Sequence, residues 1–417
     1  MASLTHVIKT SAAALLAIVL LAGPSAAATF AAERGVNLDL WTTWPDEARW
    51  NDRSVILPFP EWRRGVGAAD LAALKAAGFD FVRMPVDPAA LLSDQTAGFN
   101  DLLYASVLDS ARMINAAGLK VIVDLHAIPA GGNRAIGTYQ LLEDAVLFDR
   151  YVDAVRKMAR TVSREDPALV ALELMNEPVT GCEGAEAAAW AERLKRLYAA
   201  ARASATRTTL VLSGSCWGGA EGLAALDPRD FPDDNLIWSF HAYMPFLLTH
   251  QGATWTGGFI QWVTGLPYPP YSVPRAELDA IVARIKDRIS AETSWTERQG
   301  QLSYFDELLA QTDTPERLSA TMAEPFDRVA AWAKQHGIAA DDILLGEFGM
   351  IRQEYGNAYV VPATQRAAYY RDMIDLAERH GFTWSMWGYG GAFGVVEEFD
   401  GRKAEPDVVE MVRGLSR

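Results

Sequence analysis

The sequence predicts an α/β fold: a closed (β/α)8 barrel of the TIM type with a long rim insertion between strands six and seven. Three observations predict it. Eight short apolar runs of strand character recur along the chain, amphipathic stretches of helical period separate them, and several of those stretches end at a glycine suited to stopping a helix. Eight β-then-α units imply a closed parallel barrel more than an open doubly wound sheet. No Gly-x-Gly-x-x-Gly follows the first run, so a dinucleotide-binding sheet has no support.

In chain order the strand candidates are 35–40, 79–84, 121–125, 169–175, 209–212, 236–240, 343–345 and 382–387. Their near-continuous apolar character is that of strands covered on both faces. Helical periodicity marks 70–77, 103–117, 144–163, 185–205, 325–335 and 365–379, with Gly78, Gly118, Gly337 and Gly381 as stops. The connection from Tyr243 to Asp341 is far longer than a barrel loop needs and should carry its own elements. Within it 275–293 and 302–311 read as helices, and 246–271 is rich in aromatic residues, proline and glycine, among them Trp255, Trp262, Tyr268 and Tyr271. The insertion, about residues 244–319, is expected to be either a lid or groove wall, or a small hydrophobic subdomain packed on the barrel. The Gly-rich stretch 388–394 after the last strand is expected to make a sharp turn or let backbone approach a ligand.

With 50% hydrophobic and 22% charged residues among 417, the chain has enough apolar surface for a sizeable core. A net charge of −15 argues against a nucleic-acid or anionic-membrane partner, whose footprint would be basic. Residues 1–28 read as a signal peptide: Lys9, an apolar run over 12–22, then Pro24-Ser25-Ala26-Ala27-Ala28. The run is short for a membrane span, so the mature chain 29–417 is expected to be a secreted or periplasmic single domain, free of the membrane and monomeric. An oxidising compartment lets the two cysteines, Cys182 and Cys216, bond. Each follows a strand candidate, in rim loops that would be neighbours, and a disulfide is favoured over two free thiols.

The chemistry is concentrated where two glutamates end buried apolar runs, in Leu174-Met175-Asn176-Glu177-Pro178 and Leu345-Gly346-Glu347-Phe348-Gly349. In a parallel barrel both would reach the same rim, where active sites are built. Paired carboxylates flanking one bond are the apparatus for cleaving a glycosidic linkage. Either glutamate alone would as readily be a structural carboxylate. Arg83, His126, His241, Tyr243 and Trp387 at the ends of other strand candidates point instead to one shared site.

With those elements in order (Val82-Arg83-Met84-Pro85, Asp124-Leu125-His126, Asn176-Glu177-Pro178, His241-Ala242-Tyr243, Gly346-Glu347-Phe348-Gly349 and Trp384-Ser385-Met386-Trp387) the mature chain resembles glycoside hydrolase family five. That resemblance implies a (β/α)8 fold and a retaining mechanism, with Glu177 as general acid/base and Glu347 as nucleophile. It also implies that Arg83 and Tyr243 hold Glu347, Asn176 meets the sugar 2-hydroxyl, His126 and His241 position substrate and Glu177, and Trp387 offers a flat face to the sugar. The implied activity is endo-acting hydrolysis of β-glucan, cellulose-like or mixed-linkage. A β-mannanase, a β-1,3-glucanase, an exopolysaccharide-directed hydrolase or transglycosylase, and a non-catalytic carbohydrate-binding protein stay open as alternatives.

Trp41, Trp44, Trp50, Trp62 and Trp217 are candidate sugar platforms, with core packing the alternative for about half of them. Glu173, Glu183, Glu397 and Glu398 read as structural or solvent-facing. No His/Asp/Glu spacing suggests a metal site and no Gly-x-Ser-x-Gly elbow occurs, so neither metal nor cofactor is expected.

Overall fold

The computed structural model describes residues 29–41, 46–129 and 135–415. The expected signal segment 1–28, Trp44 and the side chain of Trp62 lie outside the described residues. Eight parallel strands close into a barrel in sequence order: β1 Arg34–Asn37, β2 Phe81–Val86, β3 Lys120–Leu125, β4 Val170–Glu173, β5 Leu210–Ser213, β6 Leu236–His241, β7 Ile343–Glu347 and β8 Thr383–Met386. β8 pairs back onto β1 through Gly35 and Ser385. The strand β2 runs past Pro85, which pairs with Asp124, so Arg83 stands inside the strand and not at its end as expected.

Strand alternation sorts the side chains into two populations. Val82, Met84, Val121, Val123, Leu172, Leu210, Leu212, Phe240 and Leu345 join the large core shared with the surrounding helices. Phe81, Ile122, Ala171, Val211, Ile237 and Leu344 form a separate apolar layer within the barrel, capped by Phe30. Gly35 is required there, because a Cβ would sit 2.3 Å from the Phe81 ring. Two residues further along the same strands the series turns polar: Asn37, Arg83, Asp124, Glu173, Ser213 and Ser239, all buried. The barrel therefore has an apolar floor below a polar layer, and the functional side chains stand on that layer.

The helices Ala68–Ala77, Asn100–Ala116, Ala145–Val162, Gly184–Arg202, Pro315–His336 and Ala363–His380 follow the expected units. Gly78, Gly118, Gly337 and Gly381 take φ of 106°, 79°, 71° and 74°, the left-handed turn that ends a helix. From the helix Ala145–Val162 the Tyr151 hydroxyl donates to Leu174 O at 2.7 Å, fixing the chain just past β4. The Pro315–His336 helix begins ten residues earlier than expected. Thr314 caps it, Pro315 occupies its first turn where no N–H is needed, and Pro325 lies inside it.

The segment before that helix carries two helices of its own, Arg275–Glu292 and Trp295–Ala310. Leu278, Ile281, Ile285 and Ile289 form the buried stripe of the first, and Phe305 of the second packs edge-on to Phe259. The earlier part turns toward the barrel mouth, where Met244, Phe246, His250, Trp255 and Thr256 line the cleft. Cys182 and Cys216 are disulfide-bonded across the loops after β4 and β5. With the two cysteines 34 positions apart, the bond stabilises the fold by roughly 3–4 kcal/mol on the chain-entropy model.

Candidate active site

A cleft of about 1040 Å³ opens over the C-terminal ends of the strands, lined by His126, Glu177, His241, Tyr243, Glu347 and Trp387. Its floor is organised by Arg83, which is fully buried. Arg83 Nη1 donates to Glu347 Oε1 at 2.7 Å and to Asn37 Oδ1 at 2.8 Å. Nε and Nη2 meet the two oxygens of Glu173 at 2.7 and 3.0 Å, and Nη2 also donates to Asn176 Oδ1 at 2.7 Å. Asp124 lies 3.0 Å from Nη2. One cation thus faces three buried carboxyl groups, an arrangement that desolvation would forbid without this density of hydrogen bonds.

Glu347 ends β7. Its second oxygen accepts from the Tyr243 hydroxyl at 2.9 Å, so each oxygen has a donor and one donor is cationic. Gly346 beside it is obligatory, because a Cβ would lie 2.6 Å from Ser239 Oγ and 2.9 Å from His241 Nε2. Glu177 has a different setting. Its Oε1 shares a proton with His241 Nδ1 at 2.8 Å, and no arginine touches it among the described residues. Burial raises its pKa to about 7, partly offset by the positive field of Arg83.

Burial likewise lowers His126 and His241 to about 4, so both rings are neutral near neutral pH. His126 Nδ1 lies 2.7 Å from Asp124 Oδ2, and its ring stacks on Trp387 at 5.3 Å between centroids and 11° between planes. Asp124 is raised to about 7 by burial against the opposing pull of Arg83. Asn176 completes the ring of contacts, with Nδ2 3.3 Å from His126 Nε2. One ligand-type atom from each of Glu177, His241 and Glu347 falls within 4.8 Å of the others, and these atoms are engaged with one another or with Arg83 and Tyr243.

The structure brings together all eight residues singled out from the sequence. Other members were missed. Asn37 and Asp39 escaped because single polar residues in and just after a strand carry no motif, and Asp124 was noted only as part of Asp124-Leu125-His126, without a role. Glu173, read as structural, is a bidentate partner of Arg83, as close to it as Glu347 at 2.7 Å. Asp39 lines the cleft and binds Arg63 Nη2 at 2.9 Å, while Arg63 Nη1 donates to Glu397 Oε2 at 2.8 Å. The close approach that Gly390 permits is to that guanidinium, 2.7 Å from where its Cβ would be.

The tryptophans divide by burial. Trp41 and Trp50 have no exposure and belong to the core, correcting their candidacy as platforms: the loop after β1 folds inward, with Trp41 Nε1 donating to Ser110 Oγ at 3.1 Å. Trp217 is 52% exposed and lines the cleft, and Trp255 lines it against His250 and Phe393. Tyr139 and Phe393 add further aromatic surface.

A cleft with paired carboxyls in unlike environments agrees with what the chain is similar to. The model of the cellulase family, glycosyl hydrolase family 5, matches residues 59–392. Endoglucanase 3 of Fibrobacter succinogenes is 23% identical over 374 residues, 87% of this chain and 50% of that protein. Endoglucanase C of Acetivibrio thermocellus is 28% identical over 201 residues, 48% of this chain and 57% of that protein. The chain thus spans about half the length of these curated relatives. Among solved structures, the cellulose synthase subunit Z of Clostridioides difficile superposes with a TM-score of 0.63 at 20% identity, covering 91% of this chain and 99% of that one, a likeness of fold. The family match covers most of the chain, and the protein belongs to the cellulase family, glycosyl hydrolase family 5.

Proposed function

We propose that the protein is a retaining, endo-acting β-glycoside hydrolase with β-glucan, cellulose-like or mixed-linkage, as its leading substrate. The observation that carries this is the pairing of Glu177 and Glu347, with one oxygen of each within 4.8 Å of the other. Retaining enzymes hold their carboxyls about 5–5.5 Å apart, whereas inverting ones leave about 6.5–9.5 Å for a water. The names of the matched endoglucanases support the β-glucan choice.

In this reading Glu347, oriented by Arg83 and Tyr243, attacks the anomeric carbon while Glu177 gives its proton to the leaving oxygen. The bond from carbon to the glycosidic oxygen breaks as the ester to Glu347 forms. Glu177, now ionised, then takes a proton from a water that attacks the same carbon and releases Glu347. Asn176 meets the sugar 2-hydroxyl, His126 holds Asn176 and Trp387 in place, His241 holds Glu177, and the exposed face of Trp387 supports the ring under attack. Export after loss of residues 1–28 belongs to the same proposal; its support is the basic-then-apolar start of the chain and the disulfide.

Reducing-sugar release from β-glucans, mannan and xylan, measured beside Glu347→Gln, tests the reading. Release from a β-glucan that the substitution abolishes is expected; release only from mannan or xylan moves the substrate, and release that survives the substitution overturns the mechanism. A second reading, preference for short oligosaccharides, is favoured by Glu324, Pro325 and Trp255, which wall one part of the cleft. Faster turnover of short oligomers than of polymer supports that reading, and products longer than the starting oligomer identify transfer to sugar instead of water.

A further inference from the structure

The insertion after β6 places in the cleft a histidine that the mechanism above does not use. His250 is 6% exposed and lines the cleft, yet its surroundings are aromatic. Its ring stacks on Phe246 at 3.9 Å between centroids, and Tyr243, Trp255 and Phe393 stand around it at 5.2, 6.4 and 5.3 Å. An imidazole gains from such a setting only where its two nitrogens find partners.

Nδ1 has one, Thr249 Oγ1 at 3.0 Å. The Thr249 hydroxyl has a single proton, and its nearest acceptor is Tyr243 O at 2.7 Å, with Pro245 O and Phe246 O at 3.3 and 3.4 Å. With that proton committed to a carbonyl, Nδ1 must be the donor to Thr249 Oγ1. Burial lowers the His250 pKa to about 3, so the ring carries no second proton near neutral pH. Nε2 is therefore a bare acceptor. It makes no hydrogen bond among the described residues, and unlike His241 Nε2 it is not sealed from the cleft.

On the hydrolase reading above, on which this inference rests, the ring under attack turns C2 toward Asn176, just past β4, beside His126, just past β3. C2 and C5 occupy opposite corners of a pyranose, so C5 and its hydroxymethyl group point across the barrel. Across from β3 is β7. His250 stands there, packed between Tyr243 from the end of β6 and Phe393 from the loop after β8. We propose that His250 Nε2 accepts a hydrogen bond from the 6-hydroxyl of the sugar under attack, making His250 the residue that selects hexose over pentose chains. A xylose ring has no C6 and leaves the acceptor unpaired in apolar surroundings, the condition under which one missing hydroxyl is felt most.

The test uses 2,4-dinitrophenyl β-cellobioside and its analogue with hydrogen in place of the 6-hydroxyl on the ring joined to dinitrophenol. Wild-type turnover of the parent records that the hydrolase reading stands; turnover of neither overturns that reading and this one with it. Given turnover of the parent, wild-type kcat/KM is expected to be about tenfold lower on the 6-deoxy analogue. His250→Phe keeps the aromatic packing and removes the acceptor. It should lower kcat/KM on the parent about tenfold with a much smaller loss on the analogue, bringing the ratio of the two near one. Turnover of the analogue shows that the variant is folded, and His250→Ala, free of any clash, reads the same ratio if it is not. A wild-type ratio near one overturns the contact to the 6-hydroxyl. A tenfold ratio that survives both substitutions assigns that contact to another residue and overturns the role of His250.

Discussion

Replacing Glu177 by Gln tests the acid role most directly, and the structure sets its size. A carboxyl with the ordinary value of 4.5 would be about 3% protonated at pH 6, whereas one near 7 is about 90% protonated, so burial raises the acid-competent fraction roughly 30-fold. Because the raised value belongs to an acid, activity should be present below about pH 7 and fall as pH rises through it, tenfold per unit at the limit. Glutamine is isosteric but has no acidic proton. Loss of a positioned acid costs about 10²–10⁴ in rate, or about 2.7–5.4 kcal/mol of transition-state stabilisation, when the leaving group is a sugar alkoxide. Fluoride leaves without a proton, so the first step on β-cellobiosyl fluoride should lose far less. The assay is kcat/KM for cellotetraose and for the fluoride between pH 4 and 9, for wild type and variant. Equal losses on the two substrates, or a fall near pH 7 that survives in Glu177→Gln, would show that the proton comes from elsewhere.

The same carboxyl makes a stability prediction. Its folded pKa exceeds its unfolded one, so its contribution is fully present below about pH 4.5 and is lost as pH rises through about 7. Relative to wild type, Glu177→Gln should therefore gain stability between pH 5 and pH 8, by at most about 3 kcal/mol since 29% of the side chain stays exposed. Urea unfolding at both values checks this, and a difference that does not change with pH refutes it. Arg83→Ala removes the cation from three carboxyl groups and should cost about 3–5 kcal/mol or more together with all activity, read by thermal unfolding; a variant as stable as wild type would contradict the network described. Tyr243→Phe deletes one hydrogen bond to Glu347 and should lower kcat about tenfold at unchanged melting temperature, and an unchanged kcat would remove its role. Trp50→Ala should destabilise by about 3–5 kcal/mol with KM unaltered, as a core residue must; a raised KM at unchanged stability would restore it as a platform.

Much of this protein was legible in its sequence because the signals are local and periodic. Eight apolar runs, the helices between them and the glycines at their ends reflect backbone rules that each segment obeys by itself. Side chains at the C-terminal ends of parallel strands must share a rim once the barrel closes, so Glu177, His241 and Glu347 could be placed together from spacing alone. Boundaries were less legible. The expected strand 79–84 ended before Pro85 and the expected helix 325–335 began at Pro325, yet the strand and the helix run through both, because neighbouring pairing and packing outweigh one lost donor.

Only the tertiary structure decided which polar residues join the site and which aromatics reach it. Arg83 meets Asn37, Asp124, Glu173, Asn176 and Glu347 across more than 300 residues of chain, and no local pattern encodes that convergence. Trp50 and Trp217 look alike as tryptophans in rim loops. One is buried because its loop folds onto the core, and the other is exposed because a left-handed turn, bonded to the loop after Glu177, points it outward. The sequence by itself determined the order of the elements and singled out Glu177 and Glu347 as the proposed catalytic pair. Burial, which depends on contacts made after the chain closes on itself, determined the proton affinity of Glu177 and the surface the cleft presents.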